Sequence, residues 1–65
     1  MNKPEFIKIA NGFDLECNYM GKTNTMFIKP KNQKAKDMYN INVHDAIEDL
    51  SLQVPFKIKY IEVEF

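Results

Sequence analysis

The chain of 65 residues contains no tryptophan and no arginine, one cysteine, one histidine, one serine and two glycines. Each shortage removes a class of function. A single cysteine excludes an internal disulfide, and Cys17, on an apolar strand face, reads as an inert buried thiol in a cytoplasmic protein. Without arginine the chain lacks the planar fork that reads guanine edges and grips phosphate with two bonds, so sequence-specific DNA binding loses ground. Glu48 stands four residues after the lone histidine, His44, on one helical face, but a structural zinc site needs four ligands and a catalytic one three, so a surface histidine is expected. Ser51, the one serine, ends a helix, Cys17 is expected buried with no base near it, and Gly12 and Gly21 are each taken by a turn, leaving none for a phosphate loop. The carboxylate pairs Asp14 with Glu16 and Glu62 with Glu64 have strand spacing and read as solvated faces. No apolar run has the length of a signal peptide or a membrane span. The expectation is a soluble, cytoplasmic, non-enzymatic protein with no cofactor and no metal.

What the chain does have is charge of both signs in equal number, unevenly placed. Residues 17 to 36 carry Lys22, Lys29, Lys31, Lys34 and Lys36 with no acid, whereas residues 37 to 65 hold six acids against two lysines. A basic end and an acidic end favour oriented docking over bulk attraction to nucleic acid or membrane. Lysine, asparagine and isoleucine supply 23 of the 65 residues, the bias of an AT-rich coding sequence such as that of a low-GC bacterium or its phages and plasmids. Residues 1–65 form a single small domain, able to bury only about 60% of its unfolded surface and therefore of marginal stability.

Alternation of apolar residues predicts a meander. A three-residue loop at Ala10-Asn11-Gly12, with Gly12 in the left-handed region, pairs Ile9 with Phe13 and Ile7 with Leu15. A second turn at Gly21-Lys22 pairs Cys17 with Met26 and Leu15 with Ile28. One face then carries the core, and the other carries Phe6 and Phe27 beside Glu16, with Lys8, Asp14 and Lys29 in a row of alternating charge. Pro30 ends the third strand. Lys31 to Asp37 reads as a solvated lysine-rich loop, with one turn of helix as the alternative. Asn42 is placed to cap a short helix over residues 43–51, in which Val43, Ala46, Ile47 and Leu50 recur at helical spacing.

Pro55 stops that helix, and Phe56 to Phe65 reads as a last strand whose apolar set changes face between Tyr60 and Ile61. Either a bulge restores one face or the two halves are buried on opposite sides. The expected fold is a small α+β domain of order β-β-β-α-β, with a four-stranded mixed or antiparallel sheet and one short helix. The last strand is expected to lie parallel beside the first, in the order 3-2-1-4, with a small barrel as the fallback topology.

Phe6 and Phe27 on a solvent face point to binding. The first reading is a protein-binding surface made of Phe6, Phe27, Ile61, Val63 and Phe65, with Lys29, Lys31, Lys34 and Lys36 steering an acidic partner. A homodimer is one form of it, and a small regulator or inhibitor encoded by a phage or other mobile element is the matching biological role. The alternative is a platform for single-stranded nucleic acid on Phe6 and Phe27 with the Lys29–Lys36 basic segment, against which stand Asp14 and Glu16. A third reading has Met38, Tyr39 and Ile41 folding over the two rings as a second core.

Overall fold

In the computed structural model, which describes all 65 residues, the chain is a small α+β domain: a three-stranded mixed sheet with its helices on one side. The first departure from expectation is at the start. Residues Lys3–Gly12 form a helix, α1, not a strand. Asn2 adopts extended backbone and its Oδ1 accepts the Glu5 N–H at 2.9 Å; Pro4 lies in the first turn, where no N–H is needed, and Glu5 faces the positive end of the dipole. A four-residue period then puts Phe6 and Ala10 on one face, and both are fully buried. The turn that follows uses Asp14, at φ 58°, as its left-handed residue, and Gly12 has no positive φ.

Strands β1 (Leu15–Met20) and β2 (Thr25–Pro30) pair antiparallel, with Cys17 opposite Ile28, Tyr19 opposite Met26 and Glu16 opposite Lys29. The register is displaced two residues from the expected one because the connection is the four residues 21–24, closed by Asn24 at φ 50° and not by Gly21. A two-residue displacement leaves every side chain on its expected face. Leu15, Met26 and Ile28 are accordingly buried completely. The expected row of Lys8, Asp14 and Lys29 does not form, since Lys8 belongs to α1.

Asn32 starts the second helical run, its Oδ1 accepting the Ala35 N–H at 2.8 Å. Helix α2 (Gln33–Met38) passes through a π-helical turn (Tyr39–Val43) into α3 (His44–Ser51) with no break in helical backbone. The lysine-rich segment is therefore largely helical, and Asn42 caps nothing because the chain before it is already helical. Ala35, Tyr39, Val43 and Ile47 are all buried and spaced by four. In a pure α-helix each such step overshoots one turn by about 40°, so the stripe would rotate off the sheet. The wide turn, in which the His44 N–H reaches the Tyr39 carbonyl, absorbs that drift.

Strand β3 (Lys57–Tyr60) lies parallel to β2, with Met26 beside Ile58 and Ile28 beside Tyr60. The sheet order is β1-β2-β3, so the last strand neighbours β2; no fourth strand exists for it to join, because the first segment went to the helical layer. Asn24 anchors the junction: its carbonyl accepts the Lys57 N–H at 2.9 Å and its Nδ2 donates to the Pro55 carbonyl at 2.9 Å. Strand pairing stops at Tyr60, followed by one ladder bond from the Ile61 N–H to the Ile28 carbonyl at 2.8 Å. The change of face between Tyr60 and Ile61 thus marks a strand end, not a bulge.

One core lies between the layers. Phe6 and Ala10 from α1, Tyr39, Val43 and Ile47 from the second helical run, and Leu15, Met26, Ile28 and Phe56 form a single cluster. Phe6 meets Phe56 edge-on at 5.6 Å, and Tyr39 stacks flat on Tyr60 at 3.7 Å. All of this covers one face of the sheet.

Candidate functional site

The other face is open. Strand alternation sends Glu16, Asn18 and Met20 of β1, Phe27 and Lys29 of β2, and Lys57 and Lys59 of β3 away from the helices. Across the sheet they make rows: Glu16 beside Lys29, and Asn18 beside Phe27 beside Lys59. Phe27, half-buried, belongs to no part of the core cluster. It lies in a shallow groove of about 490 Å³ that Glu16, Asn18, Met20, Lys29 and Ile61 help to line. Met20 and Ile61 are 44% and 40% exposed, so the groove offers apolar surface to solvent.

The electrostatics of this face are lopsided. Glu16 sits 3.5 Å from the Lys29 ammonium, both half in water, while Lys57 and Lys59 have no carboxylate within bridging distance. Lys31 lies close enough to Cys17 for its charge to oppose the larger effect of burial, which pushes that thiol above its ordinary value of 9.0. The acids Asp45, Glu48 and Asp49 lie on α3, in the helical layer.

Of the residues expected to bind, Phe27 and Ile61 share the groove. Phe6 has no exposed surface and is removed from the face by its place in α1. Val63 is half-buried, and its carbonyl accepts the Lys36 ammonium at 2.8 Å, which fastens the tail to α2 and occupies Lys36. Phe65 is 58% exposed and outside the groove. Lys34 is exposed on α2. The alternative of a second core over both rings does not form as such: Phe6 and Tyr39 are in the main core, Met38 and Ile41 are 39% and 72% exposed, and none of Met38, Tyr39 and Ile41 lines the groove over Phe27. Sequence reasoning missed Met20, Lys57 and Lys59. The face of the two lysines was legible in their alternation with Phe56, Ile58 and Tyr60, but not that β2 would be the neighbouring strand.

No protein-family model, no curated protein and no solved structure matches this chain.

A second hollow, of about 190 Å³, opens between α3 and β3, lined by Tyr39, His44, Ile47, Glu48, Ser51, Ile58 and Tyr60. His44 Nδ1 lies 3.5 Å from Asp45 and 4.0 Å from Glu48, so three donor atoms gather where the sequence suggested two. All three residues are exposed, and the set is one short of a structural zinc site. The buried Tyr60 hydroxyl has no hydrogen-bond partner. Burial raises both tyrosines above the ordinary value of 10.0, with Tyr60 and Glu48 adding to the effect on Tyr39, and Glu62 to that on Tyr60.

Proposed function

We propose that the protein is a small non-catalytic binding module that docks another protein on the open face of its sheet. The observation that carries this reading is one-sided coverage: both helical runs pack on one face, leaving Phe27 half-buried in a groove with Met20, Ile61 and Lys29, and Lys57 and Lys59 on the same face. Small apolar centres ringed by charge are the usual anatomy of a protein interface. The edges of the sheet, β1 and β3, also offer unpaired backbone groups to an added strand. A role as a regulator or inhibitor from a mobile element draws its support from size and composition alone.

The test is site-specific photo-cross-linking from two positions, Met20 on the open face and Glu48 on α3, in an extract of the cells that make the protein. A discrete adduct formed from Met20, absent from Glu48 and lost on Phe27→Ser, is the expected result. Equal labelling from both positions, or labelling indifferent to Phe27→Ser, overturns the reading. Light scattering over a concentration range, on the wild type and on Phe27→Ser, separates a foreign partner from a homodimer.

A second reading has one observation in its favour. Lys59 neighbours Phe27 across the sheet and Lys57 lies on the same face beside Thr25, a pairing of ring and positive charge that a stacking platform for single-stranded nucleic acid uses. Polarisation binding to labelled single strands across a salt series tests it, and saturable binding with steep salt dependence would support it.

A further inference from the structure

Resting on the reading of the open face as a protein-docking surface, we infer that its occupant is an acidic segment of a foreign protein, with an apolar side chain against Phe27 and carboxylates on Lys57 and Lys59. The inference comes from charge matching. The strands place three lysines, Lys29, Lys57 and Lys59, and one acid, Glu16, on this face. Glu16 is already matched by Lys29, so the unmatched charge is that of Lys59, which shares the row holding Phe27, and of Lys57, two residues before it on β3. Burying those ammonium groups against a neutral or basic surface would cost their hydration without return, whereas carboxylates restore it with charge-assisted hydrogen bonds.

The same charge argues against a second copy of the chain. Two open faces brought together would bring two unmatched lysines from each copy into one partly dry contact, with the Lys29-paired Glu16 as the one acid on either side to meet them. The acids that would match them, Asp45, Glu48 and Asp49, lie on α3 in the opposite layer. A copy presenting α3 to the open face makes a head-to-tail contact, which leaves each end free and does not close as a dimer. A nucleic acid would satisfy the lysines but not the rest of the face. It offers one ring for stacking, Phe6 being buried, and sets the Glu16 carboxylate against a phosphate backbone.

The experiment is an amide chemical-shift titration of the isotope-labelled full chain with three probes. Two are short synthetic peptides with the same alternating valine and phenylalanine positions, separated by glutamate in one and by lysine in the other; the third is an oligothymidine of similar length. The glutamate peptide is expected to shift β2 and β3 amides saturably and to weaken about tenfold in Lys57→Glu/Lys59→Glu, the loss of two partly screened ion pairs. That double variant, altered only at exposed positions, is expected to melt as the wild type does and to bind the lysine peptide instead. Equal binding of both peptides to the wild type overturns the acidic occupant and leaves protein docking standing. Tighter binding of oligothymidine than of the glutamate peptide overturns both. Binding of the glutamate peptide that the double variant leaves unchanged, or shifts confined to the helical layer, also overturns the inference.

Discussion

At the scale of single residues, the contrast between two phenylalanines tests the whole assignment of faces. Phe6 is fully enclosed and packs edge-on against Phe56, so Phe6→Ala loses both its transfer energy and the space it filled. The cost, about 3–5 kcal/mol, approaches the whole stability of a domain this small. We expect Phe6→Ala to show no cooperative melt by circular dichroism at room temperature and above. Phe27→Ser, outside the core cluster, is expected to keep its melt within a few degrees of wild type, about the shift of a change under 1 kcal/mol. A collapse of Phe27→Ser would show that the ring is structural. Tyr60 carries the opposite expectation. Its hydroxyl is buried without a partner while its ring stacks on Tyr39, so Tyr60→Phe keeps the stack and removes an unsatisfied group. An increase in stability of about 1 kcal/mol, read from urea midpoints, follows; a loss would mean that the hydroxyl has a partner in solution.

Elements depend on their ends more than on their centres. Asn32 supplies the side chain that starts a helical run continuing to residue 51, and Asn32→Ala is expected to cost about 1 kcal/mol and to lower the melting temperature by roughly 4–8 °C. Restoration by Asn32→Asp, and not by Asn32→Gln, would mark the effect as capping. Capping is also where sequence and structure part. The Asn2-Lys3-Pro4-Glu5 start of α1 was readable as a cap, yet Ile7 and Ile9 alternate as in a strand, and the stronger apolar pair at period four, Phe6 and Ala10, includes an alanine that weighs little in any pattern. Faces of β1 and β2 were legible because parity survives a two-residue slip, whereas the partner of β3 was not, since strand order depends on which segments become strands at all. Of the candidate site, Phe27 and Ile61 were legible from alternation; the lysines beside them were not, because only tertiary pairing brings β3 next to β2.

For the molecule as a whole, the slender core makes protons matter. Twelve of 65 residues are buried, so a modest linkage term is a sizeable share of the total stability. Three groups, Cys17, Tyr39 and Tyr60, are held above their ordinary values of 9.0, 10.0 and 10.0, chiefly by burial. Each is neutral when protonated, so the folded chain holds these protons more tightly than the unfolded chain does. Their contribution is complete below about pH 9 and is lost as pH rises through the unfolded values toward the folded ones, the thiol first and the tyrosines after it. Lys31 works against the shift at Cys17, while Glu48 and Glu62 reinforce those at Tyr39 and Tyr60. Urea midpoints measured from neutral pH to about pH 11 are expected to stay level to about pH 9 and then to fall. Tyr60→Phe, which removes one of the two phenols from the stack, should flatten that fall, and Cys17→Ser should remove only its first part. A decline already present near neutral pH, or one that Tyr60→Phe leaves unchanged, would place the alkaline sensitivity outside the Tyr39–Tyr60 stack and take the buried hydroxyl out of the account of this fold's stability.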